Sequence, residues 1–459
     1  MAGRRASRPS LLGSVAQPSQ AMFMRSKIQS FPRIILGVSS AAIPPSILTF
    51  EQARHVVEKH AAKMRPTEKE SAELLEGEGR VLAEPVVADR DFPPFPRATR
   101  DGYAVRAADL VRLPVKLKVV GEIKAGATLD PRLRLQAGEA ATIMTGAPAP
   151  SGADAVVMVE FTSHDGGTVE ISRGVSAGEN IVPAGAEARR GNQLLSLGTR
   201  LDHAAIAVAA SAGKTHVQVY AKPRVAIIAT GDEIVEPEAR PGPTQIRNSN
   251  SYSLAAQVRA AGGEPIILPI APDEPNRLRE LISEGLEADL LLLTGGVSMG
   301  KHDLVEQVLV ELGAEFFFTG ALIQPGRPVV FGSVPRVAGG RNAVPPDCTY
   351  FFGLPGNPVS TMVTFELFVR PMLEALSGMT PRKLVFLHAK LKSEIKTKTG
   401  LKRFLPAVLS GEFEQAEVEL VPWQGSGDVA ATARSHCYIV VPADRERIPA
   451  GEWVAVLKG

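Results

Sequence analysis

From Arg224 onward the sequence alternates apolar runs of strand length with amphipathic runs of helix length, and no other feature constrains the fold as much. Val225-Ala-Ile-Ile228 reads as a buried strand. Residues 252–261 read as a helix stopped by Gly262-Gly263, and 266–268 as a strand. A helix at 274–286 with Asp273 as its cap leads to the leucine-filled strand 289–293, then to a helix at 304–312 ended by Gly313. Strands at 315–318, 329–331 and 350–352 precede a helix from Pro358 to about residue 376. Such alternation argues for a mostly parallel sheet covered on both faces.

The chain has 459 residues, which suggests about three domains. Thr49 is placed to cap a helix starting at Phe50, and 68–75 reads as a second helical stretch before a break at Gly77 and Gly79. The prolines of Asp91-Phe-Pro-Pro-Phe-Pro96 exclude helix and central strand. Between about 115 and 190, short β-like runs punctuated by Gly and Pro predict a small β domain, and 204–212 predicts a short helix of small residues. Beyond about 380 the pattern returns to short strands, predicting a C-terminal β-barrel or sandwich. The first 45 residues are basic, with no acid before Glu51. They are expected to form a disordered tail, although a transit peptide or an early start ahead of Met22 or Met24 would share the composition.

Charged residues make up 22% of the chain and the net charge is +2, so bulk electrostatics points to neither nucleic acid nor an anionic membrane. No apolar stretch is long enough to cross a bilayer. Two isolated cysteines, Cys348 and Cys437, make neither a zinc site nor a disulfide framework, and predict a reducing cytoplasm. A P-loop is missing. His302, His164 and His203 read as loop, surface or cap residues, and Phe316-Phe-Phe318 as core.

Ligands of an open parallel sheet bind beyond the carboxyl ends of its strands. Three strands here run into unusual turns: Ala229-Thr-Gly-Asp-Glu233, Thr294-Gly-Gly-Val-Ser-Met-Gly300 and Gly353-Leu-Pro-Gly-Asn-Pro-Val-Ser360. All three should converge on one sheet edge. Glycines let backbone N–H groups approach an anion, and a helix N-terminus adds partial positive charge. Asp232, Glu233, Asp273 and Asp303 are hard oxygen donors of the kind Mg²⁺ takes one or two of. Arg327, in Gln324-Pro-Gly-Arg-Pro328, offers paired hydrogen bonds to an oxyanion. Singly, each turn is equally well a piece of packing; the third is the stiffest, because its two prolines restrict it.

The residues resemble those of the molybdopterin molybdenumtransferases, the family of bacterial MoeA, the plant Cnx E-domain and the gephyrin E-domain. The markers are Arg100-Asp-Gly-Tyr-Ala104, Ile143-Met-Thr-Gly-Ala-Pro148, Gly152-Ala-Asp-Ala-Val156, Gly178-Glu-Asn-Ile181, Thr230-Gly-Asp-Glu233, Gly295-Gly-Val-Ser298 with Asp303, Pro325-Gly-Arg-Pro328 and the run ending at Ser360. The resemblance runs from about Ser46 to the C-terminus. It implies a multidomain α+β fold: a helical discontinuous domain (46–86 and 189–221), a β domain (87–188), an α/β molybdopterin-binding domain (222–379) and a C-terminal β-barrel (380–459).

It also implies a homodimer in which Asp101, Thr145 and Glu187 of one copy face the three turns of the other. The implied reaction consumes adenylylated molybdopterin and molybdate with Mg²⁺ and releases AMP. Asp232, Glu233, Asp273 and Asp303 would position Mg²⁺ and phosphate. Thr230, Gly295, Gly296, Ser298, Arg327, Pro355, Asn357, Pro358, Ser360, Arg403 and Ser426 would contact substrate. Asp101 and Glu187 would orient water or bind metal. A molybdopterin adenylyltransferase and molybdoenzyme apoproteins are the implied partners. The chain departs from the family where many members have lysine and it has Gln324, in having Glu187 where Asp is frequent, and in the register of Arg403 within Gly400-Leu-Lys-Arg-Phe404. A gephyrin-type scaffold and the adenylyltransferase itself are the alternatives. Retained acids at 101, 232, 233 and 303 argue against the first, and the additional β domains against the second.

Overall fold

The structure is a computed structural model that describes residues 46–128, 130, 133–296, 304–336, 348–380 and 382–458. Helix α1 (Phe50–Ala61) begins at a capping box: Gln52 N–H donates to the Thr49 hydroxyl, and the Gln52 side chain accepts from the Thr49 N–H. Its buried face, Phe50, Ala53, Val57 and Ala61, joins the core of the α/β layer. Strands β1 (Lys69–Glu73) and β2 (Val86–Val87) follow. Within 68–75, expected to be helical, residues 69–73 are therefore strand. Local propensity lost to a distant partner, because β1 pairs with 216–220.

A six-stranded sheet follows, made of β3 (Gly102–Val105), β4 (Val115–Ile123), β5 (Glu139–Ile143), β6 (Ala155–Met158), β7 (Thr162–Asp165) and β8 (Thr168–Ile171). Their order in the sheet is β6-β3-β5-β4-β8-β7. The period of two puts Tyr103, Val105 and Val157 in one apolar cluster and Ala104 and Val156 in another, on opposite faces. The chain then returns through β9 (Gln193–Leu195), α2 (His203–Ser211) and β10 (His216–Tyr220). Here β9 pairs with β2 and β10 with β1, so two segments far apart in sequence share a small core of Ala72, Leu82, Leu201, Ala209 and Val219.

The α/β layer contains β11 (Arg224–Ala229), α3 (Asn250–Ala260), β12 (Glu264–Ile267), α4 (Pro275–Gly285), β13 (Leu290–Thr294), α5 (Leu304–Glu311), β14 (Glu315–Phe318), β15 (Ile323–Gln324), β16 (Val330–Pro335) and β17 (Cys348–Leu354). Its sheet order is β12-β11-β13-β17-β16-β14, with β12, β11, β13 and β17 parallel and β16 antiparallel to both its neighbours. The leucines of β13 explain the double cover. Leu290 and Leu292 pack in the cluster containing α1 and α3, whereas Leu291 and Leu293 pack in the one containing α4 and α5. Truncating any of them to Ala would cost about 2–5 kcal/mol. Glu274, rather than Asp273, caps α4 by accepting from the Arg277 N–H. The run after β17 is continuous, with α6 (Pro358–Thr364), a π-turn at Phe365–Val369 and α7 (Arg370–Leu376). Arg54 of α1 donates to the Leu367 carbonyl inside that π-turn.

The C-terminal sheet contains β18 (Phe386–Leu391), β19 (Lys402–Ser410), β20 (Glu417–Leu420), β21 (Cys437–Val441) and β22 (Trp453–Lys458). Pairing runs β19-β20-β18-β22-β21 and closes from β21 back to β19, which makes the predicted barrel. The short strand β15 leaves the α/β layer to pair with β19. No helix among the described residues is long and apolar enough to cross a membrane.

Candidate functional site

Register brings the three turns together. Ala229 pairs with Thr294 and Thr294 with Leu354, so β11, β13 and β17 end at one level and their turns leave side by side. Between the turns lies a cleft of about 400 Å³ whose walls include Thr230, Glu233, Gly295, Gly296, Pro355, Asn357 and Pro358.

The turns interlock at glycine. Gly295 has φ +90°, and a Cβ there would lie 2.3 Å from the Thr230 carbonyl oxygen. Only glycine permits both the backbone angle and the approach. The Thr230 N–H donates to the Thr294 carbonyl at 2.9 Å. The Thr294 hydroxyl donates to the Pro355 carbonyl at 3.2 Å, and Thr361 also donates to that carbonyl. Thr230 is 2% exposed, and its hydroxyl has no hydrogen-bond partner among the described residues. A buried unpaired hydroxyl is costly, so a wall carrying one suits a polar ligand.

Sequence reasoning passed over the run Arg247-Asn-Ser-Asn250, which also lines the cleft. Asn250 Nδ2 donates to both Thr294 Oγ1 and the Gly356 carbonyl, while its Oδ1 has no partner among the described residues. The signal was present as a polar cluster at the start of a helix, a pattern that suits anions.

The acids lie at the rim. Asp232 Oδ1 accepts from the Asp273 N–H at 3.1 Å. Burial, then the charges of Asp232 and Glu233, push the Asp273 carboxyl above its usual 3.8. No group of three His, Cys, Asp or Glu side chains among the described residues is arranged to hold a metal. Asp303 and Ser298 lie outside the described residues, as does His302.

Arg327 is exposed and stands beside Pro328, which borders the cleft. Ser360 is buried in the first turn of α6. The Ser426 carbonyl accepts from the Val359 N–H at 3.0 Å, so the barrel's loop reaches the start of that helix. Arg403 is buried and donates to Gln324.

Asp101, Thr145 and Glu187 are not part of the cleft wall within one chain. The Thr145 N–H donates to Asp101 Oδ1 at 2.6 Å, and this bond holds the exposed Asp101 carboxyl below its ordinary range. Gly102 sits beneath it, where a Cβ would meet the Val157 carbonyl oxygen at 1.9 Å. Glu187 forms an exposed ion pair with Arg97 at 2.9 Å.

Fold and cleft together define a multidomain α/β protein with a glycine-built polar site at the carboxyl ends of its parallel strands. Residues 48–213 match the model of the MoeA N-terminal region (domain I and II), 226–375 a probable molybdopterin binding domain, and 388–458 the MoeA C-terminal region (domain IV). A molybdopterin molybdenumtransferase of Nostoc is 38% identical over 401 residues, covering 85% of this chain and 88% of the relative. One of Bacillus subtilis is 34% identical, covering 82% and 87%. A solved molybdopterin biosynthesis MoeA protein from Pyrococcus horikoshii superposes with a TM-score of 0.70 at 29% identity, covering 90% of this chain and all of the other. The chain belongs to the molybdopterin molybdenumtransferase (MoeA) family.

Proposed function

We propose that this chain is a molybdopterin molybdenumtransferase, an enzyme of molybdenum cofactor biosynthesis. It takes adenylylated molybdopterin and molybdate, hydrolyses the phosphoanhydride, releases AMP and leaves molybdenum on the dithiolene. The observation that carries the reading is the common level of Ala229, Thr294 and Leu354, which sets three turns around one cleft with an unpartnered Thr230 hydroxyl in its wall. That hydroxyl and the Asn250 amide oxygen are suited to the polar groups of the pterin and its phosphate. Arg327, Ser360, Arg403 and Ser426 form the molybdate side, since an oxyanion needs several donors.

Mg²⁺ fits the acids at the rim. Asp273 feels the repulsion of Asp232 and Glu233, which a hard cation relieves, and Mg²⁺ needs few protein ligands when water and phosphate complete its shell. One or two of Asp232, Glu233, Asp273 and Asp303 would hold it, with water and phosphate completing the shell. Bound there, the ion would stabilise charge on the phosphoanhydride oxygens.

The protein works as a homodimer in this reading. Asp101, Thr145 and Glu187 stand outside the cleft of their own chain and act on that of a second copy. Asp101 is ionised at neutral pH and supplies fixed negative charge there. The buried Cys437 thiol, pushed up to about 11, is unreactive, as suits a cytoplasmic protein. A molybdopterin adenylyltransferase upstream and molybdoenzyme apoproteins downstream are its partners.

The test supplies purified protein with adenylylated molybdopterin, molybdate and Mg²⁺ and assays AMP and active cofactor. Molybdate-dependent AMP release is expected, and its absence would overturn the assignment.

A further inference from the structure

Two departures from the family pattern, Gln324 and Arg403, meet at a single contact. They are paired in the parallel register of β15 and β19. Arg403 Nε donates to Gln324 Oε1 at 2.8 Å, and its Nη1 donates to the Leu401 carbonyl at 3.0 Å. Both acceptors are neutral. Arg403 is only 7% exposed, yet no carboxylate among the described residues pairs with it. Burial lowers its pKa, and no acid's attraction offsets that effect.

The neighbouring cation is treated differently. Lys402 is ion-paired with Glu51, and its ammonium lies 5.0 Å from the centre of the Phe50 ring. Lys402 is thus neutralised as part of the packing of α1, whereas Arg403 keeps its charge. A buried cation without a counter-charge is expensive, and a guanidinium with uncommitted N–H donors is a receptor for an oxyanion. Gln324 directly precedes the loop through Arg327 to Pro328, so the contact lies at the root of the loop bordering the cleft.

We propose that Gln324 is a positioning residue for oxyanion capture, holding Arg403 through a neutral acceptor so that the guanidinium is oriented without being neutralised. This rests on molybdate being the substrate of that side of the site. Lysine at 324 would offer no acceptor and would set two like charges together. Glutamate would accept the same hydrogen bond but cancel the charge. Glutamine alone of the three fixes the arginine and leaves its charge to the ligand.

The test titrates molybdate calorimetrically into the purified full-length protein, with molybdate-dependent AMP release as a separate assay. Gln324→Met removes the acceptor at similar volume and is expected to weaken molybdate binding about five- to tenfold, with the KM for adenylylated molybdopterin unchanged. Gln324→Glu is expected to raise Tm through a charge-assisted pair while weakening molybdate binding more than tenfold. That opposition of stability and affinity is not produced by a residue that merely packs. Arg403→Ala should lose affinity at least as far as Gln324→Glu. Native affinity in Gln324→Glu or in Arg403→Ala overturns the inference, and AMP release by the native chain then leaves the proposed function standing. Tight molybdate binding that follows this pattern without any AMP release would instead uphold the positioning role and defeat the proposed reaction.

Discussion

The side-chain amide of Asn250 braces two of the three turns at once, donating to Thr294 Oγ1 at 2.9 Å and to the Gly356 carbonyl at 2.8 Å. Thr294 passes the connection on by donating to the Pro355 carbonyl. The first residue of α3 therefore sets the spacing between the end of β13 and the turn after β17. Asn250→Ala should cost about 1–3 kcal/mol by stranding these acceptors. It should also raise the KM for adenylylated molybdopterin roughly tenfold as the cleft loosens. Thermal unfolding and steady-state kinetics measure the two effects, and a native Tm and KM would show the brace to be idle.

Gly295 and Gly400 provide a matched pair. Both have positive φ, +90° and +98°, but a Cβ at Gly400 meets nothing within 4 Å, whereas one at Gly295 strikes the Thr230 carbonyl. Gly400→Ala should cost about 1 kcal/mol of backbone strain. Gly295→Ala adds a steric clash, and the cost should exceed about 3 kcal/mol with activity abolished. Denaturant unfolding of the two variants tests the difference, and equal losses would rule out the interlock.

The carboxyl cluster predicts a pH dependence. The folded-state pKa of Asp273 is raised, so the folded chain holds a proton there at pH values where the unfolded chain has lost it. The charged form costs stability above the raised pKa, and the cost is removed as pH falls through that pKa towards 3.8. Protons and Mg²⁺ compete for the same oxygens, so Mg²⁺ affinity should fall as pH is lowered from about 7 to about 4. Asp232→Asn removes one repulsive neighbour and should bring the Asp273 titration, followed by carboxyl ¹³C NMR, back towards 3.8. A flat Mg²⁺ affinity across that interval would sink the assignment of these acids.

The proposed division of the site between two copies can be tested by complementation. Asp101→Ala and Asp232→Ala should each be inactive alone. Mixed and allowed to exchange, half the dimers carry one intact site of two, so about a quarter of native activity should return. No recovery, with exchange verified, would confine the site to one chain.

Much of the α/β layer was legible because its strands are apolar on both faces and its helices have strong stops. The convergence of the three turns followed from the rule that ligands bind beyond parallel strand ends, and the register of Ala229, Thr294 and Leu354 realises it. Local pattern failed where the partner is distant. Residues 69–73 look helical, but the exposed, exposed, exposed, buried, exposed pattern of β1 is set by pairing with 216–220. Asn250 was missed for a related reason, since an amide in a polar run gives no sign that it will bridge residues 44 and 106 positions away. Gln324 and Arg403 were each read as a departure. That they satisfy one another becomes visible only when β15 crosses to the barrel.

Helix α1 has a consequence for how the protein is made. Its buried face shares one core with Leu367, Leu373 and Leu376, and with Phe404 and Leu457 of the barrel. At ribosomal speeds of about 5–20 residues per second, roughly 15–60 s separate synthesis of this helix from that of its α7 partner. Throughout that interval Ala53, Val57 and Ala61 form an unsheltered apolar stripe on the nascent chain. This helix is made long before its partners and is among the last described elements to be seated, and a chaperone that shields such stripes should engage it before residue 376 has been added.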